Sequence, residues 1–220
     1  MQAYIANLSE NFSLNKISDK SYIVYFSGND FKDELFKEFK SEDLILLKDL
    51  KKDIENNIEQ IDSVIFSGGE PCLQRLALLD ICRFAKLKKL KTILYTNGSK
   101  PESINSLIKE NLIDEINLLL NAPFNEMFEI ITKSKTFFKS TEEIIEDIKK
   151  SIEIINKSET NFNIITKLNK EILLNQHIVL IGQIVSQTRA FWIFDKLSHS
   201  DKIIETIKEK CKNYNINYLN

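Results

Sequence analysis

Two short stretches of this sequence hold residue types at spacings suited to binding chemistry. The first, Phe66-Ser67-Gly68-Gly69-Glu70-Pro71, follows a β-branched run and falls at the C-terminal end of a strand. Its two glycines tolerate positive φ and let main-chain amides approach a ligand closely. Glu70 is then expected at the mouth, with Pro71 in the first turn of the following helix. The second stretch, Tyr95-Thr96-Asn97-Gly98, ends the next strand and brings a hydroxyl and an amide to the same end. Two neighbouring strands ending in polar-plus-glycine turns predict a pocket there. Taken alone, Gly-Gly-Glu-Pro also suits a tight strand-to-helix turn with no ligand.

Other reactive residues fit bland roles. Cys72, Cys82 and Cys211 form no even framework and no short metal spacing, and read as small apolar groups in or near the core. His177 and His199 have no partner nearby in sequence and read as surface or packed imidazoles. Asn29, Asp30, Asp33 and Glu34 could form an oxygen-rich site for a hard cation, but a solvated acidic turn is the simpler account. No Ser–His–Asp or zinc pattern can be assembled. Trp192, in Ala-Phe-Trp-Ile-Phe, is expected to pack on a sheet, with a partner-facing aromatic as the alternative.

These residues need elements to position them. Short β-branched runs predict strands over residues 22–26, which carry no charge, and over 63–67, 92–95, 115–120, 162–166 and 190–194, with an edge strand over 216–219. Between them, apolar residues recur at helical spacing over roughly 44–59, from Leu76 to Phe84, over 101–110, from Thr141 to Ile155, over 171–187 and over 200–213. Ser140-Thr141-Glu142-Glu143 has capping-box spacing. Residues 124–139 show no clear period and are expected to form a loop over the open end of the sheet. Strand–helix alternation predicts a parallel sheet with right-handed crossovers. Six units are too few for the usual eight-stranded barrel and suit an open or partly closed one.

Composition narrows the function classes. With 220 residues the chain suits one large domain. The 30 basic and 32 acidic residues nearly balance, so charge gives no reason to expect nucleic acid or an anionic membrane as a partner. No apolar run is long enough to span a bilayer. The start has no basic lead or apolar run of a secretion signal, so a cytoplasmic location is expected.

The motifs carry a likeness. In order stand Val-Ile-Phe-Ser-Gly-Gly-Glu-Pro-Cys-Leu-Gln, then Leu-Tyr-Thr-Asn-Gly-Ser, then Ile-Asn-Leu-Leu-Leu-Asn-Ala-Pro-Phe. This resembles the radical S-adenosylmethionine superfamily, nearest to the activating proteins of anaerobic ribonucleotide reductase and other glycyl-radical enzymes. The likeness runs from Tyr22 to the end and is specific in the first half. It implies an α/β fold, a parallel-stranded partial (β/α)6 barrel of radical SAM type, as a single domain over 1–220. It also implies contact with the amino group and methionine part of S-adenosylmethionine at Gly68, Gly69, Glu70 and Pro71, with Thr96 and Asn97 on the neighbouring strand.

The pattern departs from the family at its centre. The family's Cys-x-x-x-Cys-x-x-Cys holds a four-iron, four-sulfur cluster through three thiolates. Laid on that motif without a gap, residues 28–36 put Asn29, Asp33 and Phe36 at the three ligand positions. None is a thiolate, so a 4Fe-4S cluster is expected to be absent. The fourth strand commonly ends Asp-Ile-Lys-Ala-Pro in this branch; here Leu119-Leu120-Asn121-Ala122-Pro123 stands there. Asn163 stands where the fifth strand often carries an arginine for the cofactor carboxylate.

These changes imply a fold kept after its reaction was lost. The expected role is a binding or regulatory subunit for a ribonucleotide reductase, a radical enzyme or another protein, with S-adenosylmethionine as a candidate ligand. The alternative is an active glycyl-radical-activating or other enzyme using S-adenosylmethionine in an unconventional site.

Overall fold

The structure is a computed structural model, and it describes residues 2–9, 20–31, 44–134, 138–168, 175–195 and 201–218. Its strands are β1 (Gln2–Ser9), β2 (Ser21–Phe26), β3 (Leu44–Leu46), β4 (Ser63–Gly68), β5 (Lys91–Thr96), β6 (Glu115–Leu119), β7 (Asn161–Lys167), β8 (Phe191–Asp195) and β9 (Asn217–Tyr218). The helices are α1 (Leu47–Asn56), α2 (Arg75–Leu87), α3 (Pro101–Lys109), α4 (Met127–Thr132), α5 (Thr141–Asn156), α6 (Asn175–Val185) and α7 (Asp201–Lys210). A 3-10 turn, Pro71–Gln74, leads into α2.

The nine strands of the described residues join one sheet in the order β3-β1-β2-β4-β5-β6-β7-β8-β9. From β2 to β9 every pairing is parallel, as expected from strands linked by helical crossovers. The six strands read from the sequence are β2 and β4 to β8, and the edge strand is β9. Two strands were not foreseen. β1 pairs antiparallel with β2, and β3 antiparallel with β1. Leu44–Leu46 was expected to begin a helix; it extends instead, and α1 starts at Leu47.

Alternation along each strand separates two faces. Val24, Phe26, Phe66, Leu94, Ile116 and Trp192 point outward into the main core. Leu50, Ile54, Leu78, Ile104 and Ile148 pack onto it from the helices. Ile23, Tyr25, Ile65, Ile93 and Tyr95 form a second cluster on the inner face. Trp192 is fully buried and donates through Nε1 to Thr166 Oγ1 at 3.0 Å, which makes it a packing residue.

Helix ends follow the sequence signals. Pro71 and Pro101 stand in the first turns of their helices. At α5, Ser140 and Glu143 form the reciprocal capping box. Within residues 124–139, expected to lack an element, Met127–Thr132 forms the short helix α4, and Phe128 and Ile131 are buried. Among the described residues, no helix is long and apolar enough to cross a membrane.

Candidate functional site

The site grows from the turn after β4. Gly68 has φ +104°, and a Cβ there would meet Phe26 O at 2.5 Å. At Gly69 a Cβ would fall 2.0 Å from Gly28 O, so the turn lies backbone against backbone on the loop after β2. Gly69 N donates to Phe26 O at 2.9 Å and Glu70 N to Gly28 O at 2.8 Å. The amides expected to face a ligand are thus committed to the neighbouring loop. With those amides engaged, carbonyl oxygens are the groups such a turn can offer, and they accept from an ammonium or hydroxyl.

Glu70 lies beneath the turn and not at its mouth. It is fully buried, and its Oε1 accepts from Cys72 N at 2.9 Å and Thr96 Oγ1 at 2.8 Å. Its Oε2 accepts from Asn97 N at 2.7 Å. The side chain therefore ties the end of β4 to the end of β5. Burial, then the charge of Asp30, pushes its carboxyl up to about 7 against the pull of those three donors. Thr96 and Asn97 are also buried. The structure brings Gly68, Gly69, Glu70, Pro71, Thr96 and Asn97 together at one end of the sheet.

Asn97 continues the network. Its Nδ2 donates to Asp30 Oδ1 at 2.8 Å, and its Oδ1 accepts from Ser99 N at 2.9 Å. Asp30 Oδ2 accepts from Ser99 Oγ at 2.6 Å and Lys100 Nζ at 2.8 Å. Burial alone would raise the Asp30 carboxyl. The charge of Lys100 and the bonds from Lys100, Ser99 and Asn97 outweigh it and hold the group below the usual carboxylate range. Asp30 is therefore not the solvated acid expected from the sequence. Ser99 and Lys100 were missed as its partners, and only the Asn-Gly turn before them hinted at a fixed conformation.

The loop after β2 carries the first of the aligned ligand positions. Asn29 Oδ1 accepts from Phe31 N at 3.1 Å, a local turn. Phe31 is buried and meets Phe128 of α4 edge-on, with ring centroids 5.9 Å apart. Asp33 and Phe36 lie outside the described residues, as do Glu34 and His199. Cys72, Cys82 and Cys211 are free and buried. Burial and then the charge of Glu70 push the Cys72 thiol well up, and burial does the same to Cys82. Buried protonated thiols are poor metal ligands. The donor set present does not fit a cluster that needs three thiolates.

Further along the sheet end, Asn121 Oδ1 accepts from Lys167 N at 2.9 Å, which joins the loop after β6 to β7. A cleft of about 450 Å³ opens between the starts of α4 and α6, lined by Met127, His177 and Leu180 among others. His177 is buried, and its Nδ1 takes no hydrogen bond.

Comparison with known proteins agrees with this architecture. The family model described as the Radical SAM superfamily matches residues 23–173. A Methanocaldococcus jannaschii protein named "Putative glycyl-radical enzyme activating enzyme MJ1227" is 36% identical over 112 residues. That match covers 50% of this chain and 44% of the relative, so the chain spans less than half of the relative's length. QueE from Escherichia coli superposes with a TM-score of 0.59 at 12% identity, covering 99% of this chain and 94% of that one. Streptococcus suis SuiB bound to its precursor peptide SuiA gives 0.63 at 14% identity, covering 90% and 48%. At such identities the two structures speak for the fold alone: an α/β architecture with a seven-stranded parallel sheet.

Proposed function

The chain belongs to the Radical SAM superfamily, and from that premise we propose that it is a cluster-less relative of the glycyl-radical activating proteins that binds or regulates a protein partner. The loop after β2 carries this reading. Asn29 stands at the first ligand position and is held by its own turn, while Asp30 beside it is engaged by Asn97, Ser99 and Lys100. Hydrogen bonds within the chain thus hold the start of the loop, residues 29–31, where the family places its first metal ligand.

Within this reading S-adenosylmethionine is the candidate ligand. The carbonyls around Gly68, Gly69 and Pro71 would meet its amino group, with Glu70, Thr96 and Asn97 holding the turn in shape. A ribonucleotide reductase or another radical enzyme is the partner class, in a cytoplasmic setting. The name of the Methanocaldococcus jannaschii relative and the peptide seated on SuiB support a protein partner.

The second reading is an active activating enzyme, favoured by the 36% identity to that relative. Anaerobic reconstitution with ferrous iron and sulfide separates the two. The cluster-less reading expects no stoichiometric iron and no EPR signal on reduction. About four irons per chain with a reducible signal would overturn it and favour the enzyme. Calorimetry with S-adenosylmethionine and S-adenosylhomocysteine then tests the ligand.

A further inference from the structure

The inner face of the sheet is closed on one side and open on the other. On β2, β4 and β5 its residues Ile23, Tyr25, Ile65, Ile93 and Tyr95 are buried against one another. On β6 to β8 the inward Leu119, Asn163, Ile165 and Ile193 are only half-buried, and Phe191 is 45% exposed. Register sets Tyr95, Asn117, Asn163 and Phe191 side by side across four strands.

A polar chain runs along this open wall. Lys91 Nζ donates to Glu115 Oε2 at 2.7 Å. Asn117 Nδ2 donates to Glu115 Oε1 at 3.2 Å, and Asn163 Nδ2 donates to Asn117 Oδ1 at 2.9 Å, with a weaker approach to Glu115 Oε1 at 3.4 Å. A carboxylate oxygen accepts and does not donate, so Glu115 fixes the Asn117 amide with its NH2 toward Glu115. Asn117 then offers oxygen to Asn163, which turns its own NH2 toward Asn117. The Asn163 Nδ2 is engaged in the chain, and its Oδ1 is left as the terminal acceptor on this half-buried wall.

Among the described residues the inward lysines are paired and do not offset that acceptor. Lys91 is paired with Glu115. Lys167, the other inward lysine among the described residues, is aligned with Asp195 and has its own partner. Burial, then the charges of Glu115 and Asp195, push the Tyr95 phenol up, so it stays neutral.

We propose that the wall of β6 to β8 takes a hydrogen-bond donor, an amine or hydroxyl on a small apolar body, and refuses a carboxylate. The donor bonds Asn163 Oδ1, and the apolar body lies against Leu119, Ile165, Ile193 and Phe191. A carboxylate there meets an acceptor it cannot bond and the charge of Glu115, so it is rejected by repulsion. This rests on the half-open wall of β6 to β8 taking a ligand, and not on the loss of the cluster or on S-adenosylmethionine meeting the Gly68–Pro71 turn.

The test uses three probes of one size: n-butylammonium, n-butanol and butyrate, titrated into protein with labelled isoleucine and leucine methyl groups. Butylammonium and butanol shift the Leu119, Ile165 and Ile193 methyl signals, and butylammonium binds about ten-fold or more tightly than butyrate, the effect of about one charged hydrogen bond. Asn163→Leu weakens butylammonium about five-fold or more, and Asn163→Asp strengthens it, while the remaining methyl spectrum confirms the fold. Butyrate binding as well as the amine, an unchanged affinity in Asn163→Leu, or no response to any probe would overturn the proposal. Iron uptake on reconstitution would instead overturn the cluster-less reading and leave this ratio untouched.

Discussion

Asp30 and Lys100, 70 residues apart, form an ion pair at 2.8 Å that joins the loop after β2 to the segment after β5, with β4 lying between the two strands. Asp30 also accepts from Asn97 and Ser99, so one carboxylate collects three donors from the same segment. The relationship matters because Asn29 and Asp30 occupy the stretch where the family places its first metal ligand.

Removing that carboxylate leaves Lys100 and the Asn97 amide without their partner in a largely buried place. Asp30→Ala is expected to destabilise the protein by about 3 kcal/mol, read as a lower urea midpoint. Asp30→Asn keeps part of the network and is expected to cost about half as much. A loss within about 0.5 kcal/mol for Asp30→Ala, as for an exposed pair, contradicts this account.

The acidity of Glu70 gives a pH dependence with a defined sign. Its carboxyl is pushed from 4.5 to about 7 in the folded protein, by burial first and the Asp30 charge second. Between those values the folded protein holds a proton that the unfolded chain has released. Stability therefore falls as pH rises through that window, by on the order of 3 kcal/mol. Asp30 acts in the opposite sense, because its lowered carboxyl gives stability that is lost as pH falls toward acid. Urea midpoints should decline from pH 5 to pH 7, and Glu70→Gln should flatten the decline. A wild-type midpoint that climbs over this range would contradict the assignment.

The close backbone contact at the turn predicts a graded glycine series. Gly69→Ala places a methyl 2.0 Å from the Gly28 carbonyl oxygen, which the backbone must move to relieve. A loss of about 4 kcal/mol or failure to fold is expected. Gly28 has φ +91° but open space around it, so Gly28→Ala carries only the conformational cost of about 1–2 kcal/mol. Comparing soluble yield and thermal midpoints of the two variants checks the ranking. Equal losses would mean that the contact does not govern the turn.

Much of the fold was legible in residue order. Short β-branched runs alternating with apolar residues at helical spacing marked β2 and β4 to β8, because the period of a pattern is a local property of a chain. Ser140 and Glu143 marked the start of α5 for the same reason. β1 and β3 were not legible, since strands added antiparallel at the margin of a sheet depend on what lies beside them. α4 was missed because six residues show too little periodicity to separate a helix from a loop.

The site divides along the same line. The sequence by itself determined that Gly68 and Gly69 form the turn, that Thr96 and Asn97 end the neighbouring strand, and that no thiolate stands at positions 29, 33 and 36. Residue types and strand ends decide these points without reference to distant partners. Only the tertiary structure decided that Glu70 is buried beneath the turn, that Asp30 pairs with Lys100, and that Glu115 orients the amides of Asn117 and Asn163. Glu70 meets Thr96 and Asn97, Asp30 meets Lys100, and Asn163 meets Asn117 across strands or the loops that follow them, and the order of residues does not name such partners.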